Sequence, residues 1–442
     1  MLNTINGLLW GPGTLTLLLG TGAFLTVRLR FLPWRRLGYA LKSVFGKEAR
    51  QAGRGGVSPF SALMTTLAAT MGTGNIVGVA TALAAGGPGA LVWMEVSALL
   101  GMATVFTESY LAVRYRRRDR EGRWLGGPMY VMEAGLGPRM GRAMGRLFSL
   151  FAVGASLGIG SMTQANAVTD ALGSAFALPV RPVGVTVAAL AFVGILGGIR
   201  SISRITSVLV PVMSLFYLGA GAAVLLGNLD GLLPGLAEML RCALSPQAVA
   251  GGTAGAALRW GVARGVFSNE AGLGSAGIAA AAADTDSPVR QGCVSMTGPF
   301  FDTVVVCTMT GLAICCSGVL GTVDAAGEPV NGAALTILAF ETVLGPMGSR
   351  FIAVSIVLFA FSTILGWEYQ GEQAFAYLTR GRGRTAYRAV YALAALWGAE
   401  QTLGTVYQFS DLCNALMCLP NLMCLLALHG EAVRGLRDIK KM

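Results

Sequence analysis

Apolar residues run in long stretches along most of the chain, parted by short polar segments. Each stretch is of a length that can cross a hydrocarbon core of about 30 Å as a helix. Eleven such spans are legible: 13–30, 58–84, 88–113, 147–172, 183–199, 204–227, 252–283, 291–320, 350–378, 386–403 and 405–428. Two of them are interrupted. Span 58–84 holds Gly72, Thr73, Gly74 and Asn75 at its centre, and span 252–283 holds Ser268, Asn269, Glu270, Gly272 and Gly274. A glycine costs a helix interior about 1 kcal/mol relative to alanine, and Asn and Thr are also weak formers. With the first span set aside, ten remain, as two sets of five covering 58–228 and 250–428 within one transmembrane domain, 1–442. The breaks then fall in the opening span of each set, and those two spans run in opposite directions. Paired broken helices in an inverted repeat mark the midplane binding site of a transporter.

A helix broken inside a membrane frees N–H groups on one half and C=O groups on the other. Such groups are tolerated only where they face protein or a wet cavity. The freed N–H groups suit a carboxylate, and the carbonyls suit a sodium ion or an ammonium group. A zwitterionic amino acid carries both charges within a few ångströms. Blander readings exist for the first break. Gly74 and Gly78 form a G-x-x-x-G pair that can serve helix packing alone, whereas a dinucleotide fingerprint is excluded because no strand precedes Gly72 and residue 77 is Val. Two breaks in equivalent spans, each with an Asn beside the glycines, favour a site.

Composition agrees with a polytopic helical membrane protein: 54% of residues are hydrophobic and 12% charged, and the mean hydropathy is +0.63. The net charge of +11 does not call for nucleic acid. If the first span runs outside to inside, 28 of the 33 Lys and Arg fall in cytoplasmic segments, as the positive-inside rule requires. That places the N-terminus outside and the C-terminus in the cytoplasm, with the protein multi-pass in the cell's inner (plasma) membrane and the lipid bilayer as its surroundings. The segment from Leu8 to Val27 lacks a basic leader and reads as a retained span. The eight cysteines show no C-x-x-C spacing, and six lie inside apolar spans, so they read as packing residues. The sole histidine, His429, leaves nothing for a Ser-His hydrolase centre or a His-based metal site. The chain does not read as an enzyme.

Four stretches carry a resemblance: M-G-T-G-N-I-V-G-V-A-T-A (71–82), G-G-P-M-Y-V-M (126–132), G-V-F-S-N-E-A-G-L-G-S-A (265–276) and F-S-T-I-L-G-W-E-Y (361–369). Through them the chain resembles the alanine or glycine:cation symporter family, the sodium:alanine symporters of bacteria and archaea, over nearly its whole length. The resemblance implies an all-α protein of 11 transmembrane helices: a five-plus-five inverted repeat, the leucine-transporter fold, with one extra N-terminal helix. It implies that backbone N–H groups around Gly72, Thr73, Gly74 and Asn75 meet the substrate carboxylate, and that carbonyls near Phe267 and Ser268 meet the amine. Gln164 would be a polar pocket residue, and Phe267 and Trp367 would be walls that leave room for little more than a methyl group. Sodium would be held by the carbonyls of Ala68 and Met71 and the hydroxyls of Ser362 and Thr363. A second ion near Asn75 and the Thr70 carbonyl is a weaker expectation. Trp367 follows Thr363 by four residues, so both share one helical face. Against this stands the habit of Ser and Thr to bond back to their own helix.

Ionisable residues inside or at the edges of spans are Glu95, Glu108, Asp170, Arg264, Glu270, Asp302, Glu368 and Glu372. Such groups mark pathways or pair with one another. Arg264 is expected to pair with Glu270 or Glu108, either as a gate or as a static pair that holds the bundle. The resulting expectation is a symporter that imports small neutral amino acids, alanine or glycine, with co-transported sodium, by alternating access. A proton-coupled transporter of the same fold is the alternative, and it needs a titratable group where Ser362 and Thr363 offer none.

Overall fold

The computed structural model describes residues 2–51, 56–119, 121–244 and 255–439. It is helical almost throughout. Among the described residues the only sheet is a hairpin pairing Arg117–Arg118 with Trp124–Leu125. Seven helices are long and apolar enough to cross a membrane: Thr4–Arg28, Gly89–Arg114, Met140–Phe176, Gly198–Gly227, Pro288–Cys316, Met347–Thr379 and Leu403–Leu436. Helices Pro59–Thr70 and Thr73–Gly86 form an eighth, broken span, bent by 60°. Three predicted spans, 183–199, 252–283 and 386–403, are met by shorter helices: Val180–Ile195, Gly255–Asn269 with Ser275–Ala281, and Arg384–Ala399. The apolar helix Gly332–Leu344 falls where the sequence reads as a loop. Its 13 residues reach only about 20 Å at 1.5 Å per residue, too short to register as a span.

Apolar side chains fill the core and also cover much of the outside. On helix Gly198–Gly227, Val208, Val212 and Leu215 stand 65%, 56% and 72% exposed, one outward face at helical spacing. Polar side chains such as Asn75, Gln164, Ser268 and Asp302 are buried instead. Two helices carry a wide π-type turn, at Ser156–Met162 and Phe300–Cys307. Turns of that kind occur often at functional sites.

Both predicted breaks are present. Helix Pro59–Thr70 starts cleanly, with Pro59 in its first turn and the Ser58 hydroxyl accepting the Ser61 N–H at 3.1 Å. It stops at Met71, where Gly72 turns extended (φ −124°, ψ −150°), and a tight turn at Thr73–Asn75 leads into helix Val77–Gly86. Gly72 is required by space. A Cβ there would run into Thr363 Oγ1 and stand 3.1 Å from Gln164 Oε1. The second break spans residues 270–274, where Glu270 (φ +57°), Gly272 (φ +96°) and Gly274 (φ +87°) all take the left-handed region. Glycine enters that region freely, but for Glu270 it is strained.

Candidate transport site

The first break and the long helix Met347–Thr379 meet at a cluster of oxygens. Ser362 Oγ lies 3.4 Å from both the Ala68 and the Met71 carbonyl oxygens, and Thr363 Oγ1 donates to the Ala68 carbonyl at 2.9 Å. Ser362 also bonds back to Phe359 of its own helix at 2.8 Å, so the local habit and the cross-helix contact coexist. The helices approach this closely because Gly366 lies against Ala69, whose N would be 2.5 Å from a Cβ there. All four predicted ion-site residues are thus brought together. Their ligands are carbonyl and hydroxyl oxygens, hard donors of the kind an alkali cation takes.

One step along, Gln164 Oε1 accepts the Thr73 N–H at 3.2 Å, and its amide donates to the Ile159 carbonyl in the first wide turn at 2.9 Å. Gly74 faces the second break, where a Cβ would be 3.2 Å from Ser268 Cα and 3.4 Å from Phe267 Cδ1. The first break therefore touches the last helical turn before the second. Between them sits a carboxylate that the sequence reading counted only among the membrane charges. Asp302, in the second wide turn, accepts from Asn75 Nδ2 at 2.8 Å, from Ser268 Oγ at 2.9 Å and from Thr303 Oγ1 at 2.8 Å. Among the described residues it has no basic partner. Asn75 Oδ1 is buried with no hydrogen-bond partner. The Thr70 carbonyl, expected near a second ion, accepts the Gly72 N–H at 2.9 Å.

Trp367, expected as an apolar wall, also makes a polar contact. It is fully buried, Gly160 leaves it room on the first wide turn, and its indole N–H reaches Glu270 Oε1 at 2.6 Å. The other Glu270 oxygen accepts from Ser275 at 2.5 Å. Glu108 braces the same break from outside: one oxygen accepts the Gly272 and Gly274 N–H groups, each at 3.1 Å, and Asn421 Nδ2 at 2.8 Å.

These bonds correct the expectation for Arg264, which pairs with neither Glu270 nor Glu108. Its guanidinium meets Asp411 of helix Leu403–Leu436 at 2.5 Å. It also lies over the rings of Phe267 and Tyr407, at 5.0 and 5.2 Å, and those rings stack at 5.3 Å. The reason is geometric. Six residues along a helix point more than a right angle apart, and the left-handed turn at Glu270 swings its carboxylate further away. Beyond this barrier opens a cavity of about 540 Å³ lined by Trp10, Asp170, Arg259, Arg264, Tyr407 and Asp411. At the opposite end, Val57 exchanges backbone hydrogen bonds with Ala282 at 3.1 Å and Asp284 at 2.8 Å. Arg116 donates there to the carbonyls of Ala281, Ala283 and Thr285. Residues 72–75, Gln164, Ser268 and Trp367 are buried between these two sets of contacts.

Asp411, Tyr407 and Asn421 were not singled out from the sequence, though a signal was there. Tyr407, Asp411, Asn414, Cys418 and Asn421 recur at helical spacing on an apolar helix, a polar stripe pointing inward.

The sodium:alanine symporter family model matches residues 1–442. The sodium/alanine symporter AgcS of Methanococcus maripaludis is 46% identical over 448 aligned residues, covering 100% of this chain and 98% of that protein. Among solved structures, MhsT in complex with L-phenylalanine aligns with a TM-score of 0.62 at 14% identity, over 85% of this chain and 90% of that one. Mhp1, a nucleobase-cation-symport-1 family transporter in a closed conformation, aligns with a TM-score of 0.54 at 14% identity, over 90% of this chain and 96% of that one. The likeness to the two structures shows a shared fold.

Proposed function

Because the chain belongs to the sodium:alanine symporter family, we propose that it imports a small neutral amino acid, alanine or glycine, together with sodium. The observation that carries this reading is the shared wall at Gly72, which packs against both Thr363 of the oxygen cluster and Gln164. An ion held by Ala68, Met71, Ser362 and Thr363 would fix the conformation of the first break. The same break would then present its N–H groups at residues 72–75 to a substrate carboxylate. The amine would meet the carbonyls of Phe267 and Ser268, with the rings of Phe267 and Trp367 closing around a side chain the size of a methyl group. Each ligand strengthens the other because both order one segment, and such coupling is reciprocal.

Alternating access would open and close the two ends in turn. Arg264–Asp411 with Phe267–Tyr407 forms one gate, and the Val57–Asp284 bridge held by Arg116 forms the other. We further propose eleven spans built as an inverted repeat over 58–228 and 250–428 beside one N-terminal helix. Basic loops would lie in the cytoplasm and the N-terminus outside. The membrane potential then drives a cation inward by about 2.3 kcal/mol per 100 mV.

Asp302 gives the proton-coupled alternative a specific footing, because a titratable group touches both breaks. Three donors converge on its two oxygens, as suits a carboxylate beside a cation. Reconstitution in liposomes separates the readings. Alanine uptake driven by an inward sodium gradient at equal pH is expected, and uptake driven only by a pH gradient would overturn the sodium assignment.

A further inference from the structure

At one end of the bundle, the hairpin at 117–125, the start of helix Met140–Ala155 and the turn after helix Met347–Thr379 enclose an open bowl of about 950 Å³. The hairpin contributes Arg117, Arg118 and Arg123, the helix Arg142 and Arg146, and the turn Arg380, Arg382 and Arg384. Only three carboxylates, Asp119, Glu121 and Glu133, share the lining.

Those carboxylates are already engaged. Arg123 pairs with Asp119 and Glu121, both at 2.8 Å, and Glu133 is shared by Arg117 at 3.0 Å and Arg142 at 3.4 Å. Arg384 turns to Glu372 at 2.8 Å, and Arg118 lies 4.3 Å over the Trp124 ring. Arg146, Arg380 and Arg382 are left exposed, and among the described residues none of them has an ion pair. The turn that carries two of them is a built feature. Arg380, Gly381 and Gly383 all take positive φ, and the Thr379 hydroxyl closes the turn on the Arg382 carbonyl at 2.7 Å.

The bowl opens onto apolar surface. On the helix that carries Arg142 and Arg146, Leu147 and Leu150 are 46% and 59% exposed, and Leu150 lies one turn beyond Arg146 on the same face. A ligand held here would meet guanidinium groups at one end and hydrocarbon at the other. Guanidinium forks match phosphate oxygens in pairs, and basic pockets between transmembrane helices take anionic headgroups. We propose that this bowl binds the phosphate headgroup of an anionic phospholipid, with Arg146, Arg380 and Arg382 as its free ligands and the acyl chains along Leu147 and Leu150. The inference rests on the chain lying in a bilayer, and not on which solute it carries.

The test is lipid retention by the purified full chain, measured by native mass spectrometry during titration with phosphatidylglycerol, phosphatidylcholine or inorganic phosphate. The wild-type chain is expected to retain phosphatidylglycerol and to release phosphatidylcholine, with millimolar phosphate failing to displace the bound lipid. The double variant R380Q/R382Q, on an exposed turn where folding is not at stake, is expected to weaken retention about twenty-fivefold, at about fivefold per arginine. The charge-matched control R35Q/R36Q, outside the bowl, should stay within about twofold of wild type. Equal losses in the two variants would overturn the site in favour of general surface charge. Displacement by inorganic phosphate would overturn the lipid assignment.

Discussion

The side-chain amide of Asn75 donates to the Asp302 carboxylate at 2.8 Å across 227 residues of sequence. It joins the first break to a wide turn in a distant helix, and Ser268 Oγ completes the link to the second break at 2.9 Å. One buried carboxyl group thus links both halves of the site. Asp302→Asn keeps the shape and removes the acidic group. Hydrogen bonds to charged groups contribute about 1.5–3 kcal/mol, so half-maximal sodium for alanine uptake should rise roughly 10- to 100-fold. A sodium titration in proteoliposomes measures it, and an unshifted curve would remove Asp302 from ion coupling.

Ser362 and Thr363 supply the side-chain oxygens of the proposed ion site, so Thr363→Val should weaken sodium binding while keeping the volume. Because Gly72 packs against Thr363, the alanine KM should rise with the sodium constant. If the sodium constant moves and the alanine KM does not, the ion and substrate are not coupled through this wall.

Gly72→Ala tests the close approach itself. The added methyl would run into Thr363 Oγ1 and crowd Gln164, and overpacking typically costs about 1–3 kcal/mol. Transport should fall by at least about fivefold, while the purified variant keeps its helical circular dichroism and elution volume. Near-normal uptake would show that the break tolerates a Cβ and that its geometry is not what binds.

Trp367→Phe retains the ring and removes the N–H that reaches Glu270 at 2.6 Å. That leaves a buried carboxylate oxygen short of a donor, at a cost of about 1–3 kcal/mol. A melting temperature lowered by several degrees is expected, with alanine still transported. Trp367→Ala should instead admit larger side chains, read as competition of alanine uptake by leucine or phenylalanine. Unchanged selectivity would place the substrate wall elsewhere.

Arg264→Gln removes the charge that meets Asp411 at 2.5 Å. The cysteine reporter Ala263→Cys, in the cavity wall beside Arg264, should then react faster with a membrane-impermeant thiol reagent. Equal rates with and without Arg264→Gln would mean that this ion pair does not hold the end closed.

The sequence by itself determined the membrane class and the position of both breaks. Charge is too scarce to cover a soluble surface, and polar, glycine-rich residues inside apolar spans need a local reason. Through the family resemblance it also pointed to Ser362, Thr363 and Gln164, and the structure brings them to the first break. The three spans met by shorter helices and the unforeseen helix Gly332–Leu344 were harder, because apolar length alone does not tell a crossing from a helix lying against the bundle. Only the tertiary structure decided that Asp302 stands between the breaks, and that Arg264 turns to Asp411 while Glu270 and Glu108 brace a loop. A pattern along the chain says which side chains must avoid lipid. Which partner each one finds depends on how distant helices are rotated and crossed, and that is set by packing over the whole bundle.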